Sequence, residues 1–310
     1  MKVKIAIYSS ALACAVFLSG CGLSETKTEI TETIFDTSGT GLTEQTTWDG
    51  TTSYTDFTEE SEPPASTELE TKEMSSPALS AKLIGWGLGK ARDKQNRPID
   101  ALNAQLKYGA FDAVFINPDA KKKLYLTFDE GYENGYTSQI LDVLKEKGIK
   151  AVFFVTYDYC KDAPDLVQRM IEEGHVVGNH SYTHTSFPAC SDKEVREEIT
   201  YLHEYVEKNF NYTMKLIRFP KGEFSEKTLA IAQEYGYTTV FWSFAHVDWD
   251  TNDQPTAKEA FDKITAATHS GAIYLLHAVS KANADCLSDV IDYWKNNGIA
   301  VSDPMELIDI

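Results

Sequence analysis

Cysteine and clustered basic residues are both scarce in this chain. Of its five cysteines, only Cys160, Cys190 and Cys286 lie beyond the first 80 residues, and no pair has the Cys-x-x-Cys spacing. Three thiols form at most one disulfide, so a disulfide framework is excluded, and cysteine-ligated zinc is not expected. The formal net charge is −18, and residues 121–123 are the only compact basic cluster. Because binding to phosphate requires clustered Lys and Arg, we expect no nucleic-acid partner.

The chain also lacks the ~20-residue apolar run that a membrane-spanning helix needs. The apolar stretch over residues 5–18 follows two lysines, which is typical of a signal peptide, here residues 1–20. The string Leu-Ser-Gly-Cys that ends at Cys21 resembles the lipobox of bacterial lipoproteins. That resemblance implies a lipidated Cys21 and an extracytoplasmic protein anchored to the bacterial cell membrane. The alternative is an ordinary secretory signal with an incidental cysteine.

Residues 21–80 are rich in Thr, Ser and Glu, and their only basic residues are Lys27 and Lys72. Such a stretch buries too little apolar surface to offset its chain entropy, so it predicts a flexible tether. We expect residues 81–121 to form an N-terminal extension packed on the main domain, which would span residues 122–310. The sequence does not reveal what residues 86–120 do.

After residue 122, short apolar runs alternate with amphipathic stretches of helical period. Continuous apolar runs are typical of parallel strands covered on both faces. The predicted strands are 124–128, 151–156, 176–178, 215–219, 238–243, 272–277 and 299–301, and the predicted helices are 138–147, 164–173, 192–209, 225–235, 257–268 and 285–297. This alternation predicts an α/β fold, either a barrel or a doubly wound sheet.

Five short polar motifs follow directly on five of the predicted strands. They are Thr-Phe-Asp-Glu-Gly (127–131), His-Ser-Tyr-Thr-His (180–184), Arg-Phe-Pro (218–220), Asp-Trp (248–249) and Leu-Leu-His (275–277). Barrels of this class draw their catalytic groups from the carboxyl ends of several strands. A dinucleotide-binding sheet would instead carry a glycine-rich turn, which is missing. We therefore predict a distorted TIM-like (β/α)7 barrel.

The motifs supply the groups needed for metal-assisted hydrolysis. His180 and His184 are spaced i, i+4, so a helical turn could present both imidazoles on one face, and with a carboxylate they would form a metal site. The alternative is two surface histidines around a Ser/Thr turn. Arg218 near Asp129 would lower the pKa of that carboxyl. His277 ends an apolar strand, where it could donate a proton if a carboxylate held its ring.

From 124 to 310 the chain resembles the NodB-type polysaccharide deacetylases, carbohydrate esterase family 4, and carries all five family motifs in order. Within that family it is closest to the branch that deacetylates muramic acid in peptidoglycan on the way to muramic δ-lactam. The specific strings are Tyr-Leu-Thr-Phe-Asp (125–129), Gly-Tyr-Glu-Asn-Gly-Tyr-Thr (131–137), Phe-Trp-Ser (241–243) and Trp-Gly (86–87).

The resemblance implies a role for each motif residue. Asp129 would be the base, with Arg218 beside it, and His277 would be the acid, oriented by Asp248. Glu130 stands where the family usually has an aspartate that ligates the metal. It either ligates the metal or is a strand-end carboxylate facing solvent. The remaining roles are metal binding by His180 and His184, an oxyanion contact by the backbone N–H of Lys221, and an acetyl pocket lined by Trp249 and Leu275.

The implied reaction is hydrolysis of N-acetyl groups on N-acetylmuramic acid in peptidoglycan, with a divalent metal, zinc by preference, as cofactor. The runner-up substrate is N-acetylglucosamine in peptidoglycan or in chitin-like glycans. An alternative of a different class is an inactive wall-binding lipoprotein that has lost its metal because Glu130 replaces the usual aspartate. We expect the remaining histidines to be structural or surface residues: His175, His203, His246 and His269.

Overall fold

The computed structural model describes residues 78–310 and a short antiparallel pair of strands, β1 (Ile34–Phe35) and β2 (Gly41–Leu42). The pair belongs to the unit Met1–Lys72, and the remaining described strands and helices belong to the unit Glu73–Ile310. The predicted signal peptide and most of the predicted tether lie outside the described residues. No helix in the described part of the chain is long and apolar enough to cross a bilayer.

Parallel strands form a curled nine-stranded sheet, which confirms the predicted distorted α/β barrel. Its strands are β4 (Ala113–Val114), β5 (Lys123–Glu130), β6 (Val152–Val155), β7 (Val176–Asn179), β8 (Leu216–Ile217), β10 (Thr238–Val240), β11 (Phe244–Ala245), β12 (Ala272–His277) and β13 (Ala300–Val301). They run in the order β11-β12-β5-β6-β7-β8-β10-β4, and β13 pairs with the start of β5. Two further strands, β3 (Ile84–Gly85) and β9 (Glu223–Phe224), pair antiparallel in a separate ribbon.

Helices cover the outside of this sheet. They are α1 (Ile99–Tyr108), α2 (Thr137–Lys147), α3 (Tyr157–Asp162), α4 (Pro164–Glu172), α5 (Asp192–Phe210), α6 (Glu226–Glu234), α7 (Ala257–Ala266) and α8 (Lys281–Asn296), and 3₁₀ turns span Gly109–Phe111, Phe187–Ala189, Pro220–Gly222 and Pro304–Asp309. The six predicted helices are present, whereas α1 and α3 were not predicted. Helix α8 begins four residues earlier than predicted because the Ser280 hydroxyl accepts a hydrogen bond from the Asn283 N–H and caps it there.

Two strands differ from the prediction. The predicted strand 238–243 breaks after Val240, and its two parts reach different places in the sheet. Phe241 donates its N–H to the Val114 carbonyl (2.7 Å), whereas Ser243 donates to the Ile273 carbonyl (2.9 Å), so β10 pairs at one end of the strand order and β11 at the other. Strand β4 lies in the segment predicted as an extension, and it extends the sheet beside β10. The extension therefore contributes to the sheet itself.

The two faces of β5 lead to different surroundings. Tyr125 belongs to a small inner cluster that also contains Phe154 and Leu307, whereas Leu126 and Phe128 belong to the large cluster beneath the helices. Side chains alternate between the faces of a strand, so odd-numbered residues of β5 point inward and even-numbered residues point outward. This alternation decides where the acidic pair at the end of β5 lies.

Candidate active site

A cleft of about 690 Å³ opens at the carboxyl ends of the strands. Seven of the ten predicted site residues line it: Asp129, His180, His184, Lys221, Trp249, Leu275 and His277. Two more contact these residues from behind the cleft wall, Arg218 and Asp248. Glu130 is not among the residues that line the cleft.

Arg218 holds Asp129 in a fixed orientation. Its Nη1 donates to Asp129 Oδ1 at 2.7 Å, and its other nitrogens donate to the carbonyls of Val240 (2.9 Å) and Phe241 (3.1 Å). Burial would raise the pKa of Asp129, but the charge of Arg218, followed by nearby imidazoles, outweighs it and holds that pKa below its usual range. Asp129 is therefore an ionised carboxylate, as a general base must be.

His277 lies directly beside Asp129, because the two residues are register partners on the adjacent strands β12 and β5. Its Nδ1 donates to Asp248 Oδ1 at 2.7 Å, and its backbone N–H donates to Asp248 Oδ2 at 2.9 Å. Asn283 Nδ2 also donates to Oδ2, at 2.6 Å. Burial would lower the pKa of His277, but the hydrogen bond and charge of Asp248 and the charge of Asp129 raise it above the usual value. A protonated His277 can therefore present its Nε2–H to the cleft.

His246 was predicted to be a structural or surface residue, and the structure places it in the wall of the cleft. Its Nε2 lies 3.2 Å from Asn283 Oδ1 and 3.6 Å from Asp248 Oδ2. Because the Asn283 amide nitrogen donates to Asp248, its oxygen accepts the Nε2–H of His246. Burial lowers the pKa of His246, which keeps the ring neutral. Because His246 lies two residues before Asp248, the sequence could have indicated that it is near the site. Nothing in the sequence indicated that Asn283 contacts Asp248.

The two histidines of the second motif lie close together, but not on a helix as predicted. The chain after β7 is irregular, and Ser181 (φ 72°) and His184 (φ 57°) both take left-handed conformations. The Ser181 hydroxyl accepts the His184 N–H at 2.9 Å, which closes the turn. The centroids of the His180 and His184 rings are 4.9 Å apart. A folded-back loop, and not the predicted helical turn, therefore brings the two imidazoles together.

The His180 ring is oriented for binding a cation. Its Nδ1 donates to the Arg218 carbonyl at 2.8 Å, so the neutral ring has its lone pair on Nε2, which lies 3.5 Å from Asp129 Oδ2. Burial lowers the pKa of His180 despite that carboxylate. Two electron-rich atoms therefore face each other beside His184, as metal-ligating groups do. However, no three His, Cys, Asp or Glu side chains of the described residues are grouped to hold a metal ion. The arrangement therefore fits a metal held by His180 and His184, and not the predicted set of three ligands that included Glu130.

Glu130 is separated from the histidines by the alternation of β5. Asp129 points inward to the cleft, and Glu130 points to the other face. It is fully buried, and neither carboxylate oxygen has a hydrogen-bond partner among the described residues. Burial, reinforced by the charges of Glu133 and Asp129, raises the pKa of Glu130 well above its usual value. The solvent-facing alternative is wrong, and the structure does not bring Glu130 to His180 and His184.

The turn that carries Lys221 is held by the N-terminal extension. Lys221 (φ 60°) and Gly222 (φ 66°) are both left-handed. The Trp86 N–H donates to the Gly222 carbonyl at 2.9 Å, and Trp86 Nε1 donates to the Trp242 carbonyl at 3.0 Å. A Cβ at Gly222 would lie 2.6 Å from the Trp242 ring, so only glycine fits. The segment whose role the sequence left open thus supports the wall of the cleft.

The two apolar residues predicted to receive the acetyl group differ in exposure. Leu275 is 5% exposed and forms part of the cleft wall, whereas Trp249 is 56% exposed. Leu275 is therefore a covered apolar part of the cleft wall, and Trp249 presents an exposed aromatic ring to the cleft.

Comparison with known proteins identifies the family. The family model described as polysaccharide deacetylase matches residues 116–240. An uncharacterised 30.6 kDa protein of Geobacillus stearothermophilus is 46% identical over 228 residues, 72% of this chain and 84% of that protein. The peptidoglycan-N-acetylmuramic acid deacetylase PdaA of Bacillus subtilis is 42% identical over 225 residues, 71% of this chain and 84% of that protein.

The solved structure of Bacillus subtilis PdaA, a family 4 carbohydrate esterase, matches with a TM-score of 0.71 and 38% identity. The match covers 74% of this chain and 99% of that structure. The agreement in sequence and fold over most of each relative places the chain in a family of hydrolases. The chain belongs to the polysaccharide deacetylase family, carbohydrate esterase family 4.

Proposed function

We propose that this chain removes the N-acetyl group from N-acetylmuramic acid residues of peptidoglycan and releases acetate. The observation that carries the proposal is the pairing of a buried carboxylate, Asp129, with a partly buried histidine, His277, across two adjacent strands. Arg218 lowers the pKa of Asp129, and the hydrogen bond and charge of Asp248 raise the pKa of His277. A base and an acid with opposite pKa shifts, side by side in one cleft, are the groups that amide hydrolysis needs. The similarity to PdaA supports muramic acid as the sugar.

Each residue contributes one part of the reaction. Asp129 accepts a proton from the attacking water while the water oxygen bonds to the acetyl carbon. The backbone N–H of Lys221 stabilises the negative charge that develops on the carbonyl oxygen. His277 gives its Nε2 proton to the sugar nitrogen as the carbon–nitrogen bond breaks. The products are acetate and a free amine.

Enzymes of this family are in general metal-dependent. We propose that His180 and His184 hold a divalent cation, zinc by preference, with water or substrate in the remaining positions. When bound, such an ion would polarise the acetyl carbonyl and make the water more acidic. The orientation of His180 by the Arg218 carbonyl supports this assignment.

The test is acetate release from purified glycan strands, followed by mass spectrometry of the digested products. We expect loss of acetyl groups from muramic acid. Loss from glucosamine alone would contradict the choice of sugar. Asp129→Asn and His277→Ala are expected to abolish release, and Tyr235→Ala, on an exposed residue away from the cleft, serves as the control.

Elemental analysis tests the metal. We expect bound metal in the parent protein, less in His180→Ala, and slower acetate release after chelation. A metal-free parent whose His180→Ala variant is equally active would refute the metal assignment.

We also propose that the protein works outside the cytoplasm as a lipoprotein anchored through Cys21. The signal-like apolar run and the lipobox-like string support this. In cell fractionation, the parent is expected in the membrane fraction and Cys21→Ala among soluble or unprocessed forms. Equal incorporation of a labelled fatty acid into the parent and Cys21→Ala, or a parent found only in soluble form, would contradict the proposal.

A further inference from the structure

A second depression of about 320 Å³ adjoins the active-site cleft. We call it the tyrosine groove, and it is lined by Tyr157, Tyr182, Tyr201, Glu204, Tyr205 and Lys208. We propose that it binds a further sugar ring of the same glycan strand whose N-acetyl group occupies the cleft. This inference rests on the proposed function.

The groove is built from three separate segments. Tyr201, Tyr205 and Lys208 follow i, i+4, i+7 spacing on α5 and so share one helix face. Tyr157 is the first residue of α3, and Tyr182 lies in the loop between the two cleft histidines. The rings meet edge to face or tilted: Tyr157 is 4.7 Å from Tyr182 and 4.9 Å from Tyr205, and Tyr182 is 5.5 Å from Tyr201 between centroids. Mutual packing holds these rings in place before any ligand arrives.

The groove and the cleft share one lining residue, Tyr182. Tyr182 lies two residues from His180 and two from His184. A linear polymer with one sugar in the cleft therefore has a path over Tyr182 into the groove. A polysaccharide has further rings to place there, whereas a single sugar does not.

The chemistry of the groove matches a sugar ring. Its volume is at the lower end of the roughly 300–1,000 Å³ that small-molecule sites occupy, which suits one ring. Tyrosine faces offer rigid apolar surface to the C–H faces of a sugar, and their hydroxyls remain available for hydrogen bonds. Glu204 and Lys208 add an acceptor and a donor for sugar hydroxyls. Tyr201 is 50% exposed, so its ring is available to a ligand.

The test compares Tyr201→Ala with the parent on two substrates, long glycan strands and the monosaccharide N-acetylmuramic acid, which has no second ring. On long strands we expect kcat/KM to fall about fivefold or more, mainly through KM, because a contact away from the reacting atoms adds ground-state binding. On the monosaccharide, kcat/KM is expected to stay unchanged. Tyr201→Phe keeps the ring and is expected to retain most of the long-strand activity. Tyr235→Ala is the control, since Tyr235 is 42% exposed and lines neither depression.

Three outcomes would count against these ideas. If Tyr201→Ala matches the parent on long strands, the groove does not bind the glycan. An equal loss on both substrates, or a lowered thermal unfolding temperature that accounts for the loss, would show that Tyr201 supports the fold or the cleft instead. If the parent releases no acetate from either substrate, the proposed function fails. Binding of long strands to Asp129→Asn, with and without Tyr201→Ala, then tests the groove separately.

Discussion

Replacing Arg218 with methionine tests the electrostatic design of the site. Arg218 is fully buried and is the cation bonded to Asp129, a residue that is only 7% exposed. Methionine retains much of the apolar volume of the arginine stem and removes only the charge and the donors. The substitution therefore leaves a buried carboxylate without its counter-charge.

The expected cost is about 3–5 kcal/mol in the free energy of unfolding at pH 7, the typical effect of breaking a buried ion pair from one side. This is a large part of the roughly 5–15 kcal/mol that stabilises most domains, so the variant is expected to fold but to be fragile. Activity is expected to fall strongly as well, because a buried Asp129 without Arg218 takes up a proton and cannot act as a base.

The cost is expected to depend on pH. In the parent, the pKa of Asp129 is depressed, so its contribution to stability is present above the ordinary value of 3.8 and is lost as the pH falls. In Arg218→Met, burial raises the pKa of Asp129. As the pH falls, Asp129 becomes protonated, which removes the cost of burying an unpaired carboxylate. The difference in stability between the two proteins should therefore be largest near pH 7 and shrink in acid.

Urea unfolding at several pH values, with chelator present so that no cation contributes, measures this difference. Arg218→Lys keeps the charge and is expected to show a smaller cost. A second substitution, Asp129→Asn, is expected to recover part of the stability lost in Arg218→Met at pH 7. A cost that is the same at all pH values would show that Arg218 acts through packing and not through charge.

Three further substitutions give distinct outcomes. Asp248→Asn removes the Asp248 charge that helps to raise the pKa of His277. We therefore expect kcat/KM to fall, and its decline with rising pH to begin at a lower pH. An unchanged pH profile would show that His277 is not the acid. Glu130→Gln should raise the free energy of unfolding at pH 7 but not near pH 4.5. A carboxyl whose pKa is raised by folding destabilises the folded protein once the pH rises above its ordinary pKa, and glutamine removes that effect. A lowered metal content in Glu130→Gln would instead identify Glu130 as a metal ligand. Gly222→Ala and Gly236→Ala both force alanine into a left-handed conformation, which should lower the free energy of unfolding by about 1–2 kcal/mol. Only the Cβ at position 222 meets the Trp242 ring, so calorimetry should show a further loss of about 1–3 kcal/mol for Gly222→Ala. Equal losses for the two variants would mean that the ring moves away.

The sequence predicted the parts of the fold that depend on local patterns. Long amphipathic helices such as α5 and α8 carry strong periodic signals, and β12 is a continuous apolar run up to its last residue, His277. Strand β4 has only two residues, and its pairing with β10 depends on contacts with residues more than 120 positions away. Local patterns cannot indicate such pairing. The break between β10 and β11 was missed for the same reason, because an apolar run continues across it.

The site was predictable where a residue ends a strand. Asp129 and His277 come together because parallel strands end at one edge of the sheet. Asn283 reaches the site from an element with no motif, so sequence spacing gave no indication of it. Trp86 belongs to a string that carried the family resemblance, but the sequence assigned it no role. Glu130 is different, since the alternation of side chains along a strand already argues that neighbours such as Asp129 and Glu130 face opposite ways.

The aromatic contacts of the N-terminal extension bear on where the folding unit begins. Phe115 stacks on Phe241 with ring centroids 4.3 Å apart, and Trp86 packs against Phe115 at 4.7 Å. A shortened protein starting at residue 122, where the sequence placed the main domain, would lose these rings together with β4. It would leave β10 as an unprotected sheet edge, a common cause of aggregation. A soluble, active fragment therefore has to begin upstream of Ile84, well before the region that defines the family.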